Sequence, residues 1–211
     1  MKIVGFRVLS DERVGDGGFL RLRRLRLHIQ RQDGSESREA QYDFVERPMG
    51  SDAVIVVLWH RDQAGAISLL LRHGLRVPIH FGREPGEATS LQFCELVAGI
   101  VEAGEDSEAG LRQRAIQEAH EEAGAIVDPK KVEFLGPALY PTPGMCAEKI
   151  FFLACELPSQ ELGAPPGDGS PFEEGATLEW LGLDAALARC RNGQICDMKT
   201  EVGIRRFVER F

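Results

Sequence analysis

The sequence predicts an α/β protein that carries an antiparallel β-sheet at its N-terminal end. Three observations predict it. Residues 19–29 largely alternate apolar and basic side chains, the two-residue period of a half-exposed strand. Residues 52–59 and 67–72 are denser apolar runs, as in strands buried on both faces. Residues 110–123 switch to a helical period and run into Gly124, where a helix C-cap belongs.

The elements follow in order. Residues 3–48 read as strands, and 1–48 is expected to form one unit ahead of a second at 49–211. The turn Gly15-Asp-Gly-Gly18 leads into the 19–29 strand, Gln32-Asp-Gly-Ser-Glu36 closes it, and 38–46 supplies a further strand before Pro48. The arginines between Arg21 and Arg26 suit a solvated strand face better than a nucleic-acid stripe, because no aromatic residues alternate with them. The two apolar strands are joined in hairpin fashion by 61–65, and residues 91–99 form another short strand leading towards the helix. Strands follow at 132–136 and 149–155. Residues 158–175 are rich in Pro, Gly and acid and form a long loop, a kind that is usually mobile or functional. A last strand at 178–183 precedes two closing helices at 183–190 and 200–211.

A chain of 211 residues accommodates one sizeable domain or a domain with a small appendage. The net charge of −8 excludes broad, charge-driven binding to nucleic acid or anionic membrane. A small anionic substrate remains compatible, provided a metal or local arginines screen the site. Cys94, Cys146, Cys155, Cys190 and Cys196 show no CxxC spacing, which suggests reduced thiols in a cytoplasmic protein. No apolar run approaches the ~20 residues needed to cross a bilayer, and the N-terminus has no leader-like apolar region.

The chemistry concentrates in Gln117-Glu-Ala-His-Glu-Glu-Ala-Gly124. On a helix, Glu118, Glu121 and Glu122 share one face, and their repulsion costs tenths of a kcal/mol per pair. They also occupy the last turn, where the helix dipole disfavours negative charge. A hard divalent cation such as Mg²⁺ or Mn²⁺ resolves the conflict, because it prefers carboxylate oxygens and keeps waters that suit phosphate-bearing substrates. On the glutamates alone, a solvated acidic helix end is an equally open reading. Arg72 and Arg76 follow an inner strand and suit phosphate contacts through their forked guanidinium groups, with surface salt bridges as the alternative.

The surrounding residues resemble the box of the Nudix hydrolases. Gly99, five residues and Glu105 match its opening, and 117–125 match its closing part. Eleven residues, 106–116, separate Glu105 from Gln117 where the pattern has seven, and the extra four are expected before the helix, within 106–110. Gln117 replaces the arginine that in the family helps orient the carboxylates, and Arg114 stands at i, i+4 from Glu118 to supply some of that charge. Glu95-Leu-Val-Ala-Gly99 is similar to the Glu-Leu-Pro-Ala-Gly entrance of ADP-ribose and nucleotide-sugar pyrophosphatases. Tyr140-Pro-Thr-Pro-Gly-Met-Cys-Ala-Glu148 resembles their Ser-Pro-Gly loop and its following glutamate, and Asp197-Met-Lys-Thr200 also looks like that branch.

The resemblance implies an α/β/α Nudix sandwich with a mixed sheet, plus the N-terminal antiparallel sheet as a homodimerisation element. It implies metal ligation by Glu118, Glu122 and the Ala98 carbonyl, with Glu121 nearby. It also implies a general base in the acidic loop, Glu173 or Glu174 with Glu174 favoured, and substrate contacts from Glu148. The activity implied is Mg²⁺- or Mn²⁺-dependent hydrolysis of ADP-ribose or a nucleotide sugar. A nucleotide-binding sensor without turnover and a nucleoside triphosphate sanitising enzyme are the alternatives.

Overall fold

The computed structural model describes residues 3–15, 18–82, 92–167, 169–170, 173 and 175–211. Strands β1 (Ile3–Val14), β2 (Arg21–Arg31) and β3 (Ala40–Glu46) form an antiparallel sheet in that order. Its arginines are matched to acids on neighbouring strands: Arg23 to Asp11 and Glu46, Arg24 to Asp43, Arg26 to Glu39. Such cross-strand pairs stabilise a ladder rather than advertise a polyanion site.

Among the described residues the second sheet has seven strands: β4 (Ala53–Arg61), β5 (Ile67–Leu75), β6 (Gln92–Glu95), β7 (Val97–Ile100), β8 (Val132–Phe134), β9 (Ile150–Glu156) and β10 (Thr177–Gly182). The main path runs β10-β5-β4-β9-β8, and β4 pairs with β9 in parallel while the other pairings are antiparallel, so the sheet is mixed. Helices α1 (Val77–Phe81), α2 (Glu108–Ala123), α3 (Leu183–Arg191) and α4 (Met198–Arg210) complete the fold, with a 3₁₀ turn at Pro129–Lys131.

Alternation along β4 builds the layers. Val54, Val56 and Leu58 pack with Leu111, Ala115, Ala119 and Ala123 of α2, whereas Ile55, Val57 and Trp59 pack with Ala186 and Cys190 of α3 and Ile204 and Phe207 of α4. The molecule is therefore an α/β/α sandwich. Alanines at four-residue spacing give α2 a shallow apolar stripe, which lets the helix lie close against the sheet. Among the described residues, no helix is long and apolar enough to cross a membrane.

Two expectations change. The single strand expected at 91–99 is two strands that separate at Leu96. β4 and β5 pair only where Trp59–Arg61 meets Ile67–Leu69; beyond that point they diverge, and β6 pairs with β5 while β7 pairs with β4. Buried Leu96 sits at the split, and its N–H donates to Thr200 Oγ1 at 2.9 Å. Asp197 caps α4 and accepts from the Thr200 N–H at 3.0 Å and from its hydroxyl at 2.7 Å. The start of α4 thus holds the strand that enters the site. The second change is in 106–110, expected ahead of the helix: Ser107 is the N-cap and 108–110 already form the first turn of α2. The glutamate register is unaffected.

Candidate active site

The last turn of α2 and strand β7 face each other. Gly124 ends the helix in the left-handed conformation at φ 62°, which leaves Glu118, Glu121 and Glu122 on its final turns. The Ala98 N–H donates to Glu122 Oε2 at 3.0 Å. The side chain of Glu118 lies directly over Gly99, where an added Cβ would overlap its carboxylate. The glycine that opens the motif thus makes room for the glutamate that closes it.

A cleft of about 480 Å³ is lined by Ala98, Gly99, Glu118, Glu121, Glu122 and Glu173, with Arg76 and Arg114 on its walls. Phe19 and Met49, from the N-terminal segment, reach the same cleft. A second hollow of about 340 Å³ lies against Glu121, Glu122 and Glu173, walled by Arg72, Pro165, Pro166, Gly167, Gly169 and Ser170.

Burial decides between the two readings of the acidic face. The side chains of Glu118 and Glu122 are each only 11% exposed, so this is not a solvated helix end. Burial, reinforced by Glu122 and Glu121, pushes the Glu118 carboxyl up to about 8. Burial also pushes Glu122 up to about 7, against the opposing pull of Arg72 and the Ala98 N–H. Two carboxyls whose charged forms are disfavoured by burial suit a cationic partner.

The donors suit a hard cation. Among the described residues, no three His, Cys, Asp or Glu side chains already converge as a ready-made cage. Mg²⁺ does not ask for one: it is usually held by one or two carboxylates, with waters and substrate phosphates completing its shell. Glu118, Glu122 and the backbone beside Ala98 meet that requirement.

The nominated arginines are both here. Arg72 is 5% exposed, with Nη1 3.6 Å from Glu122 and Nη2 3.6 Å from Glu173, and its Nε has no hydrogen-bond partner. Arg76 donates from Nε to both oxygens of buried Glu95 at 2.8 and 3.0 Å, while its own side chain stays 43% exposed at the cleft. Glu121 and Glu173 line both hollows. Glu174 lies outside the described residues.

Glu148 is not brought to this cleft. It pairs with Arg47 at 2.9 Å and lines a separate hollow with Arg21, Arg23 and Arg47. Sequence reasoning missed Phe19, Met49 and Glu102, which enter the site through tertiary contact. It anticipated Arg114 by its spacing. The guanidinium of Arg114 forks onto Glu105 at 2.8 and 2.8 Å, reaches Glu102 at 3.1 Å, and leaves Nη1 3.7 Å from Glu118. Gln117 Oε1 is buried without a partner.

No curated protein matches the chain significantly. Among solved structures, one described as an ADP compounds hydrolase shares 15% identity, covers 99% of this chain and 95% of its own, and superposes with a TM-score of 0.68. A NUDIX hydrolase from Alicyclobacillus acidocaldarius shares 14% identity over 74% of this chain and 90% of its own, with a TM-score of 0.51. A NUDIX hydrolase from Nitrosomonas europaea shares 14% identity over 76% of this chain and 89% of its own, with a TM-score of 0.50. These neighbours share the fold, and the first extends over the N-terminal sheet as well. The NUDIX domain profile matches residues 49–195, well over half of the chain and all of the cleft's helix and strand except the N-terminal contributions, so the chain belongs to the Nudix family.

Proposed function

We propose that this Nudix pyrophosphohydrolase uses a divalent cation to hydrolyse ADP-ribose or a nucleoside diphosphate sugar, releasing a nucleoside monophosphate and a sugar phosphate. The observation that carries the reading is the pair of buried carboxyls, Glu118 and Glu122, opening onto a cleft walled by arginines. The substrate class is supported by the Glu95–Gly99 entrance and by the likeness to a structure named for ADP compounds.

In this reading Glu118, Glu122 and the Ala98 carbonyl hold Mg²⁺ or Mn²⁺. Held there, a divalent cation would supply charge to neutralise the pyrophosphate oxygens and would lower the pKa of attacking water. Glu121 adds charge at the same face. Arg72, whose contacts to Glu122 and Glu173 are long for ion pairs, has a fork available for a phosphate oxygen. Glu95 fixes the direction of Arg76, which lines the cleft. Glu173 sits between the two hollows and takes the water's proton, a role that Glu174 shares as a candidate. The residues 1–48 form the dimerisation unit of a homodimer, supported by exposed Val8, Leu9, Leu20 and Tyr42. The five free cysteines fit a reducing cytoplasm.

A sensor that binds nucleotide without turnover is the second reading, favoured by Gln117 where the family has arginine. A panel of ADP-ribose, nucleotide sugars, dinucleotides and dNTPs separates the readings, with phosphatase added to release phosphate from monophosphate products. Turnover of one diphosphate class in Mg²⁺, abolished by EDTA, is the expected result. Metal-assisted binding without turnover would establish the sensor, and preference for dNTPs would contradict the substrate class.

A further inference from the structure

We propose that Arg114 performs the carboxylate positioning for which the Nudix box normally uses the arginine next to its first metal-face glutamate, displaced by one helical turn. The proposal rests on the metal-dependent hydrolase reading above and concerns residues that reading leaves unassigned.

Spacing is the first support. The box separates its loop glutamate from its arginine by seven residues, and here eight residues, 106–113, separate Glu105 from Arg114. Counted this way the loop-to-arginine distance grows by one residue, and the other three added residues, 115–117, fall between Arg114 and Glu118. Arg114 stands four residues before Glu118, close to one 3.6-residue turn, so the displaced arginine stays on the glutamate face. The structure supports this placement over one ahead of the helix, because α2 already begins at Glu108.

The contacts are the second support. Arg114 is 9% exposed, and its guanidinium is locked by two parallel bonds to Glu105 of 2.8 Å each. That fork aims Nη1 at Glu118 Oε1, 3.7 Å away. Glu118 also faces repulsion from Glu122 and Glu121 and must lie flat over Gly99. A fixed cation behind it holds the carboxylate in that pose. Gln117, on the same face one turn away, makes no such contact, and its buried Oε1 is left without a partner. Arg114 is therefore a positioning residue that acts through Glu118, and Glu105 is its anchor.

The test uses the full chain with Arg114→Gln, Arg114→Lys and the double variant Arg114→Gln/Gln117→Arg. Mn²⁺ binding to substrate-free protein is titrated by the EPR signal of free Mn²⁺, melting temperature is recorded, and Mg²⁺ activation is measured with ADP-ribose. Loss of an outer partner of a metal ligand costs about 10–100-fold in metal affinity, and that loss is expected for Arg114→Gln. Half-activation by Mg²⁺ should move in parallel, while KM for ADP-ribose at saturating metal changes little. Arg114→Lys, which keeps charge without the fork, should fall between, and the double variant should recover most of the Mn²⁺ affinity. Wild-type Mn²⁺ affinity in a folded Arg114→Gln protein overturns the proposal. If that variant does not fold, wild-type affinity in Arg114→Lys does so. Recovery of melting temperature but not of Mn²⁺ binding in the double variant overturns it too. A wild-type protein that binds Mn²⁺ but turns over no substrate sinks the hydrolase reading alone, since the Mn²⁺ titration still decides the role of Arg114. A wild-type protein that binds no Mn²⁺ contradicts both.

Discussion

The carboxylate of Glu118 occupies the space that a side chain on Gly99 would need. The atoms in the way are the far end of a flexible side chain, so Gly99→Ala should fold by pushing Glu118 aside rather than by breaking β7. The expected cost is functional: Mg²⁺ affinity lower by about 10–100-fold, the range for disturbed metal surroundings, with little change in melting temperature. Isothermal titration with Mg²⁺ or Mn²⁺ alongside thermal melts checks this. Equal metal affinity in the variant would mean that Glu118 need not lie where it does.

Stability should depend on pH in a way that metal reverses. Glu118 and Glu122 hold their protons up to about 8 and about 7, so above the ordinary carboxylate range the native state binds protons that the unfolded chain has released. Their contribution to stability is complete at low pH and is lost as pH rises through those values. A cation needs both groups charged, so its affinity rises across the same window. Melting temperatures in EDTA should therefore fall between pH 5 and about pH 8, and the gap opened by Mg²⁺ should widen. Glu118→Gln should flatten the EDTA curve. A gap that is constant with pH would show that the carboxyls are not coupled to the cation.

Gly124→Ala tests the end of the helix rather than the cleft. Gly124 is left-handed at φ 62°, and an added Cβ would run into the carbonyl oxygen of Gly163. The left-handed conformation alone costs an L-residue about 1–2 kcal/mol, which lowers the melting temperature of a chain this size by about 2–8 °C. The Gly163 N–H donates to Gly124 O, and the Gly167 N–H donates to Glu121 O, both at 3.0 Å, so the 158–175 loop should loosen as well. Limited proteolysis near residue 163 reads that effect. Unchanged melting would show that the helix end tolerates a side chain.

Thr200→Val removes the acceptor of the Leu96 N–H in a fully buried setting. An orphaned buried donor costs about 1–3 kcal/mol. Because Leu96 leads directly into Val97–Gly99, turnover should fall along with stability, although Thr200 does not line the 480 Å³ hollow. Denaturant unfolding together with steady-state rates measures both effects. A loss of stability with undiminished turnover would separate α4 from the site.

The parts of the site that were legible in the sequence are those fixed by local rules. The helical period and Gly124 marked α2 and its stop, and i, i+4 spacing put Arg114 beside Glu118, at 3.7 Å in the structure. Dense apolar runs marked β4 and β5, whose alternating side chains serve two helical layers. The rest depends on partners far along the chain. The split at Leu96 is held by Thr200, 104 residues on, and no local pattern announces it. Phe19 and Met49 are exposed apolar residues that reach the cleft only because the N-terminal segment folds beside it. Glu148, nominated by the loop it follows, is engaged by Arg47, whose guanidinium also stacks 5.9 Å over the Phe19 ring. The fork from Arg114 to Glu105 joins a loop to a helix and has no periodic signature.

The central claim is that Glu118 and Glu122 hold the cation on which pyrophosphate hydrolysis depends. Phosphorus NMR of ADP-ribose incubated with the protein and Mg²⁺, beside the Glu122→Gln variant, tests it most directly. The account predicts that the pyrophosphate resonances give way to those of two phosphomonoesters, with the rate reduced at least about 100-fold in the variant or in EDTA. Conversion at the wild-type rate by Glu122→Gln, or in the presence of EDTA, would contradict it.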